Sequence, residues 1–165
     1  MFIPLGDDNS DRRIRPVVNY ALIAINVLVF LFEFLQGARV EGLLMSLGAV
    51  PAYITDPANH PYAFLTLLSS MFLHGGWMHL LGNMMFLWVF GDNIEDRLGP
   101  FRYCVFYLLC GITSGLSHLI LNLHSNTPTI GASGAIAGVM GAYLILYPHS
   151  KILTLIPIIF IPWFV

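Results

Sequence analysis

At 165 residues, 57% hydrophobic and only 10% charged, with a mean hydropathy of +0.76, the chain has the composition of a membrane protein; a soluble domain carries roughly 25% charged residues. A formal net charge of −2 leaves no basic surface for nucleic acid, and no zinc-ligand or phosphate-loop spacing occurs, so neither metal nor cofactor is expected. Cys104 and Cys110 lie six residues apart in one apolar run, which reads as thiols filling a helix surface, not as a disulfide or metal site.

Residues 1–16 form a polar tail crowded with charge: Asp7, Asp8, Asp11, Arg12, Arg13 and Arg15. The apolar run that follows is too long for a signal peptide, and no small-residue cleavage site closes it. A first span is expected over residues 16–35, near the ~20 residues that cross a bilayer. Pro16 suits its start, where a missing N–H costs nothing. Glu33 lies near its far end, at the interface or facing the protein interior. Residues 36–63 mix Arg39, Glu41, Asp56 and three prolines with Leu, Val, Ala and Tyr, which suggests a structured loop in the interface.

An apolar stretch at 64–73 leads into His74-Gly75-Gly76-Trp77 and a second span over 78–90. The polar run from Gly91 to Pro100 reads as a turn. A third span covers 101–123, a polar loop 122–129, and a short fourth span 133–147. Residues 152–165 carry one polar side chain, Thr154, and read as the start of a fifth span within which the chain ends. The organisation is thus a cytoplasmic tail, 1–16, and an all-α polytopic membrane bundle over 17–165 with four complete spans and part of a fifth. With the N-terminus inside, six of the seven Lys and Arg residues fall on the cytoplasmic side, Arg39 being the exception; this follows the positive-inside rule. That orientation puts Ser133 towards the outer side.

On the fourth span Gly131, Gly134, Gly138 and Gly141 recur at spacings of three, four and three. They mark one helical face with almost no side-chain bulk, against which another helix must lie. Packing alone explains such a stripe, and Ser133 at a helix start also fits an N-cap. On the second span His79 and Asn83 stand four apart and share a face. Taken alone they suit interhelical hydrogen bonding. Together, the serine, histidine and asparagine occupy similar depth, and side chains of the last two can donate to a developing oxyanion. The backbone N–H of Ser133 would join them at the positive end of its helix.

The runs His74-Gly75-Gly76-Trp77-Met78-His79-Leu80-Leu81-Gly82-Asn83, then Gly91 to Glu95-Asp96-Arg97-Leu98-Gly99, then Gly131-Ala132-Ser133-Gly134 resemble the rhomboid family of intramembrane serine proteases. The resemblance covers residue 16 onward. It implies Ser133 as nucleophile, with His79, Asn83 and the Ser133 amide as oxyanion donors. Gly131 would shape the loop beside the nucleophile, and Glu95 and Arg97 would tie the cytoplasmic turn after span two. It implies transmembrane segments of other proteins as substrates, with the lipid bilayer as medium. A multi-pass location is expected, with a cytoplasmic N-terminus, in a bacterial plasma membrane.

The chain departs from the family pattern in two places. Leu65 and Thr66 stand where the family often has a Trp-Arg pair. The general-base histidine of rhomboids lies on a sixth span packed against the fourth-span glycine face, and the expectation is that these 165 residues do not include it. His118, deep in span three, His124, in the outer loop, and His149, on the cytoplasmic side, are set aside as bases, because the role needs hydrogen-bond reach. On this reading the chain by itself is nearly inactive. The alternative is a catalytically inactive rhomboid-like protein that binds transmembrane clients, and the presence of Ser133, His79 and Asn83 argues against it. A small transporter would need paired charges inside its spans, and only Glu33 is intramembrane.

Overall fold

In a computed structural model, which describes residues 3–7, 12–156 and 161–164, the chain is a helical bundle with a small sheet at one end. Strand β1 is Ile3–Asp7. Helix α1 spans Val17–Leu35, and three short helices follow: α2 Val40–Leu47, α3 Pro51–Ile54 and α4 Thr66–Ser69. The long helices α5 Trp77–Leu98 and α6 Pro100–Leu121 come next, then the shorter α7 Ser133–Leu146, and strands β2 Ile152–Ile156 and β3 Ile161–Phe164. Helices α1 and α6 are each long and apolar enough to cross a membrane. Helix α5 is as long as α6 but carries Asp92, Glu95, Asp96 and Arg97 near its end, and it forms a third candidate span only together with residues 63–72, as a pair bent by 79°. Helix α7 is apolar but has 14 residues.

The connection between the first and second spans is structured, as its composition suggests. It is pinned to the loop before α7 by main-chain bonds: Ala49 N–H donates to Thr129 O (3.0 Å), Thr129 N–H returns to Ala49 O (2.9 Å), and Ala52 N–H donates to Ser125 O (3.0 Å). Pro51 opens α3, where its lack of an N–H is harmless.

At the opposite end, the polar run that the sequence suggests is a turn is instead the last two turns of α5, with Asp92, Asn93, Ile94 and Glu95 all buried. These polar groups stay helical because they have partners on the neighbouring chain segment. Glu95, fully buried, accepts the Val18 N–H on Oε1 (3.0 Å) and the Asn19 N–H on Oε2 (2.7 Å), so it caps the first turn of α1. Asp96 Oδ1 accepts Arg13 N–H (2.8 Å) and Ile14 N–H (2.7 Å), and Arg12 pairs with Asp92 (3.0 Å). Asn19 then donates to Leu87 O (3.0 Å) and accepts from Tyr103 Oη (2.8 Å), joining α1, α5 and α6. Gly91 lies against Asn19 so closely that a methyl group there would collide with its amide. Arg97, grouped with Glu95 on sequence grounds, is exposed and takes no part in this clamp.

The glycine face that the family resemblance assigns to a sixth span is partly occupied by α6. Gly134 sits on Ser114 and Gly138 on Cys110, both on α6, with no room for a methyl group at either. Small residues on α6 meet small residues on α7, and the two backbones approach closely. Gly141 alone of the three has open space around it. The uncovered side of α7 carries Ser133 and Ala137, which are exposed, and Gly141 four residues further on.

Where the sequence suggests a fifth helical span, Ile152–Ile156 pairs antiparallel with both Ile3–Asp7 and Ile161–Phe164. The run is rich in isoleucine and carries Pro157 and Pro162. β-Branched residues favour strands, and prolines inside a helix remove hydrogen bonds. Residues 157–160 and 165 of that expected span lie outside the described residues. The first strand is tied to the bundle through Asp7, whose Oδ2 accepts from Asn93 Nδ2 (2.6 Å) and Tyr143 Oη (2.8 Å).

Two outcomes follow from this packing. Glu95→Ala leaves one buried and one part-buried main-chain donor unpaired and is expected to cost about 3 kcal/mol, read by reversible unfolding in mixed micelles; Glu95→Gln, which keeps one acceptor, should cost less. Gly138→Ala is expected to destabilise by about 1–3 kcal/mol through its collision with Cys110. Gly141→Ala should be neutral or stabilising by up to about 1 kcal/mol from helix propensity. Equal effects at the two glycines would contradict the α6–α7 contact.

Candidate active site

The site is built where the bent second span, the loop before α7 and the end of α1 meet. The chain turns sharply between Leu73 and Gly76, and the first turn of α5 presents His79 and then Asn83 one turn later. The 3₁₀ turn Ser70–Phe72 holds the opposite wall, since Ser70 O accepts the Gly131 N–H (2.8 Å). Gly131 has φ +121°, a conformation open to glycine and strained for other residues. A methyl group at this position would stand 2.8 Å from both Cε1 and Nε2 of His79 and 3.8 Å from Asn83 Nδ2. Two separate constraints therefore require glycine here: the backbone angle and the imidazole pressed against it.

Two residues on, Ser133 opens α7. No side chain caps this helix start, so its first N–H groups lack intrahelical partners and lie at the positive end of the helix. The serine side chain is exposed. It borders a cavity of about 220 Å³ lined also by Ser70, Met71, Ser114, His118 and Gly131.

His79 is exposed, whereas Asn83 and His74 are buried. Gly75 N–H donates to His79 Nδ1 at 3.4 Å, and Asn83 Nδ2 lies 3.1 Å from His74 Nε2. The rings of His74 and His79 meet edge to face, with centroids 5.1 Å apart. Behind them Glu33, 1% exposed, reaches from the last turn of α1 and accepts the His74 N–H (3.1 Å). A carboxylate at the end of a span thus faces the interior, at the candidate-site end of the bundle.

The structure brings His79 against Gly131 and Asn83 close to the same loop, with Ser133 in the same loop-to-helix junction. Gly134 and Gly138 lie further along α7 and pack against α6, Gly134 also lining the cavity beside Ser133, while Gly141 has open space around it. Glu95 and Arg97 are at the far end of α5. Sequence reasoning sets His118 aside, yet it lines the same cavity as Ser133; its position one turn before the C-terminal end of α6 is the available signal. Among the described residues no hydrogen bond joins any histidine to Ser133 Oγ. Sequence pattern assigns no role to His74 or Glu33. They are far apart in sequence and no helical periodicity links them, so their contact was not readable.

Residues 61–165 match the family model described as Rhomboid domain. The chain is 33% identical over 139 residues to Rhomboid protein 1, mitochondrial, of Saccharomyces cerevisiae, covering 81% of this chain and 38% of that protein. It is 32% identical over 131 residues to Rhomboid protease GluP of Bacillus subtilis (79% and 24%). With the human Presenilin-associated rhomboid-like protein, mitochondrial, identity is 31% over 145 residues (87% and 35%). The chain therefore spans well under half the length of these three relatives. Motif order, helical membrane architecture and these matches agree: the chain belongs to the rhomboid family.

Proposed function

We propose that the chain is the membrane core of an intramembrane serine endopeptidase that cleaves transmembrane segments of other proteins. The observation that carries this reading is the approach of His79 and Asn83 to the Gly131 loop, two residues ahead of a serine at an uncapped helix start. In this reading Ser133 Oγ attacks the scissile carbonyl carbon and gives up its proton to a base. Negative charge gathers on the former carbonyl oxygen, and His79 Nε2, Asn83 Nδ2 and the Ser133 N–H donate to it. The C–N bond then breaks, the amine leaves with a proton, and water hydrolyses the acyl-enzyme.

The length of α7 supports such a site. Fourteen residues make about 21 Å of helix, against the about 30 Å of hydrocarbon in a bilayer. A helix that short begins below the membrane surface, where a serine meets a substrate helix and not a soluble peptide. The distribution of Lys and Arg supports a cytoplasmic N-terminus.

The base implied by the family resemblance is a histidine on a further helix. The side of α7 bearing Ser133, Ala137 and Gly141 is the uncovered one and would receive it beside Oγ. The described residues alone, with no histidine bonded to Ser133, are expected to be nearly inert.

With the full-length protein in liposomes and a transmembrane reporter, Ser133→Ala should abolish both cleavage and fluorophosphonate labelling. Asn83→Ala should lower kcat roughly 10²-fold with KM little changed. Cleavage that persists in Ser133→Ala overturns the nucleophile assignment. Wild type and Ser133→Ala that bind the segment equally and leave it intact would instead indicate a client-binding protein.

A further inference from the structure

Two main-chain groups determine how protons are placed around Asn83. A carbonyl oxygen can only accept, and Phe72 O lies 3.3 Å from His74 Nδ1. Nδ1 therefore carries the ring hydrogen, and Nε2 is left as an acceptor. Asn83 Nδ2 stands 3.1 Å from that Nε2, so the amide must turn its NH2 towards His74. The second hydrogen of the same nitrogen is then free for the Gly131 loop, where a methyl group would be 3.8 Å away. With the amide flipped, Oδ1 would face the lone pair of Nε2 and also the place where an oxyanion would form; both contacts would be repulsive. His79 is set in a matching way: Gly75 N–H can only donate, which makes Nδ1 the acceptor (3.4 Å) and leaves Nε2 as the N–H beside Gly131.

His74 is 2% exposed and does not reach Ser133's cavity. Its main chain is held by Glu33 Oε2 on α1, a carboxylate placed in the interior, where it has value only through a specific bond.

We infer that His74 is a positioning residue, which holds the Asn83 amide in its donating orientation, and that Glu33 anchors His74 from α1. This rests on the protease reading above. His74 touches no substrate; it acts through Asn83. A side chain that merely filled space at this position would affect stability without regard to Asn83, whereas a positioning residue shares its catalytic effect with Asn83.

The test is a double-mutant cycle on the full-length protein with the transmembrane reporter. His74→Leu is expected to lower kcat at least about 10-fold with KM within about twofold. His74→Gln, which keeps an acceptor, should recover most of the loss. His74→Leu combined with Asn83→Ala should be no slower than Asn83→Ala alone, because both remove one function. Losses that add in the double variant, or a His74→Leu kcat within about twofold of wild type, overturn the inference. If His74→Leu does not fold, His74→Gln decides: a kcat as low as that of Asn83→Ala overturns it. The Asn83 side-chain amide resonances in micelles read the bond whether or not anything is cleaved. They should shift in His74→Leu and return towards wild type in His74→Gln, and unchanged resonances overturn the positioning. A wild type that cleaves nothing while these resonances still respond to His74 removes the protease reading and leaves the orientation of Asn83 standing.

Discussion

The buried carboxylate of Glu95 is the contact on which the bundle depends. A buried carboxylate is costly unless its oxygens are hydrogen-bonded. Here each oxygen takes a main-chain N–H from the first turn of α1, and the charge stands at the positive end of that helix. Asp96 and Asp92 extend the grip to the preceding residues, and Asn19 carries it into α5 and α6. Helix α1 is thereby fixed in height and rotation at one end. At its other end the same helix delivers Glu33 to His74, some four turns away. The Glu95 clamp and the candidate site are therefore two ends of one rigid element. The carboxylate at 95 never approaches Ser133, yet the level at which Glu33 arrives is set from there.

The candidate site residues were legible because they fall on short motifs with helical spacing. His79 and Asn83 share a face by their separation of four, and Gly131 and Ser133 mark a loop-to-helix junction. The structure brings the first two to Gly131. The glycine stripe was legible as a close-packing face, but periodicity names a face and not its neighbour. Cys110 and Ser114, four apart on α6, were the complementary small residues, and they occupy Gly138 and Gly134. The side left open is the one through Ser133 and Ala137.

Other differences come from contacts distant in sequence. The polar stretch after Gly91 has the composition of a turn, and its partners at Asp7 and in residues 12–19 explain why it continues as buried helix. The final apolar run has the hydropathy of a span, while its isoleucines, its prolines and a partner strand more than 140 residues away favour pairing in a sheet. Glu33 and His74 lie 41 residues apart, and their role depends on a main-chain N–H, which leaves no trace in side-chain pattern. Geometry supplied what composition does not encode: which acceptor each donor meets.

The unequal helix lengths have a consequence for the surrounding lipid. Helices α1 and α6, with 19 and 22 residues, match a hydrocarbon layer of ordinary thickness, and α7 with 14 falls well short of it. Hydrophobic mismatch is thus not uniform around the molecule. On the side of α7 the bilayer must thin, or protein must stand between helix and lipid, each at a modest free-energy cost per ångström. Either way, membrane thickness becomes a variable that acts on this flank of the bundle more than on any other, and Ser133 sits on it.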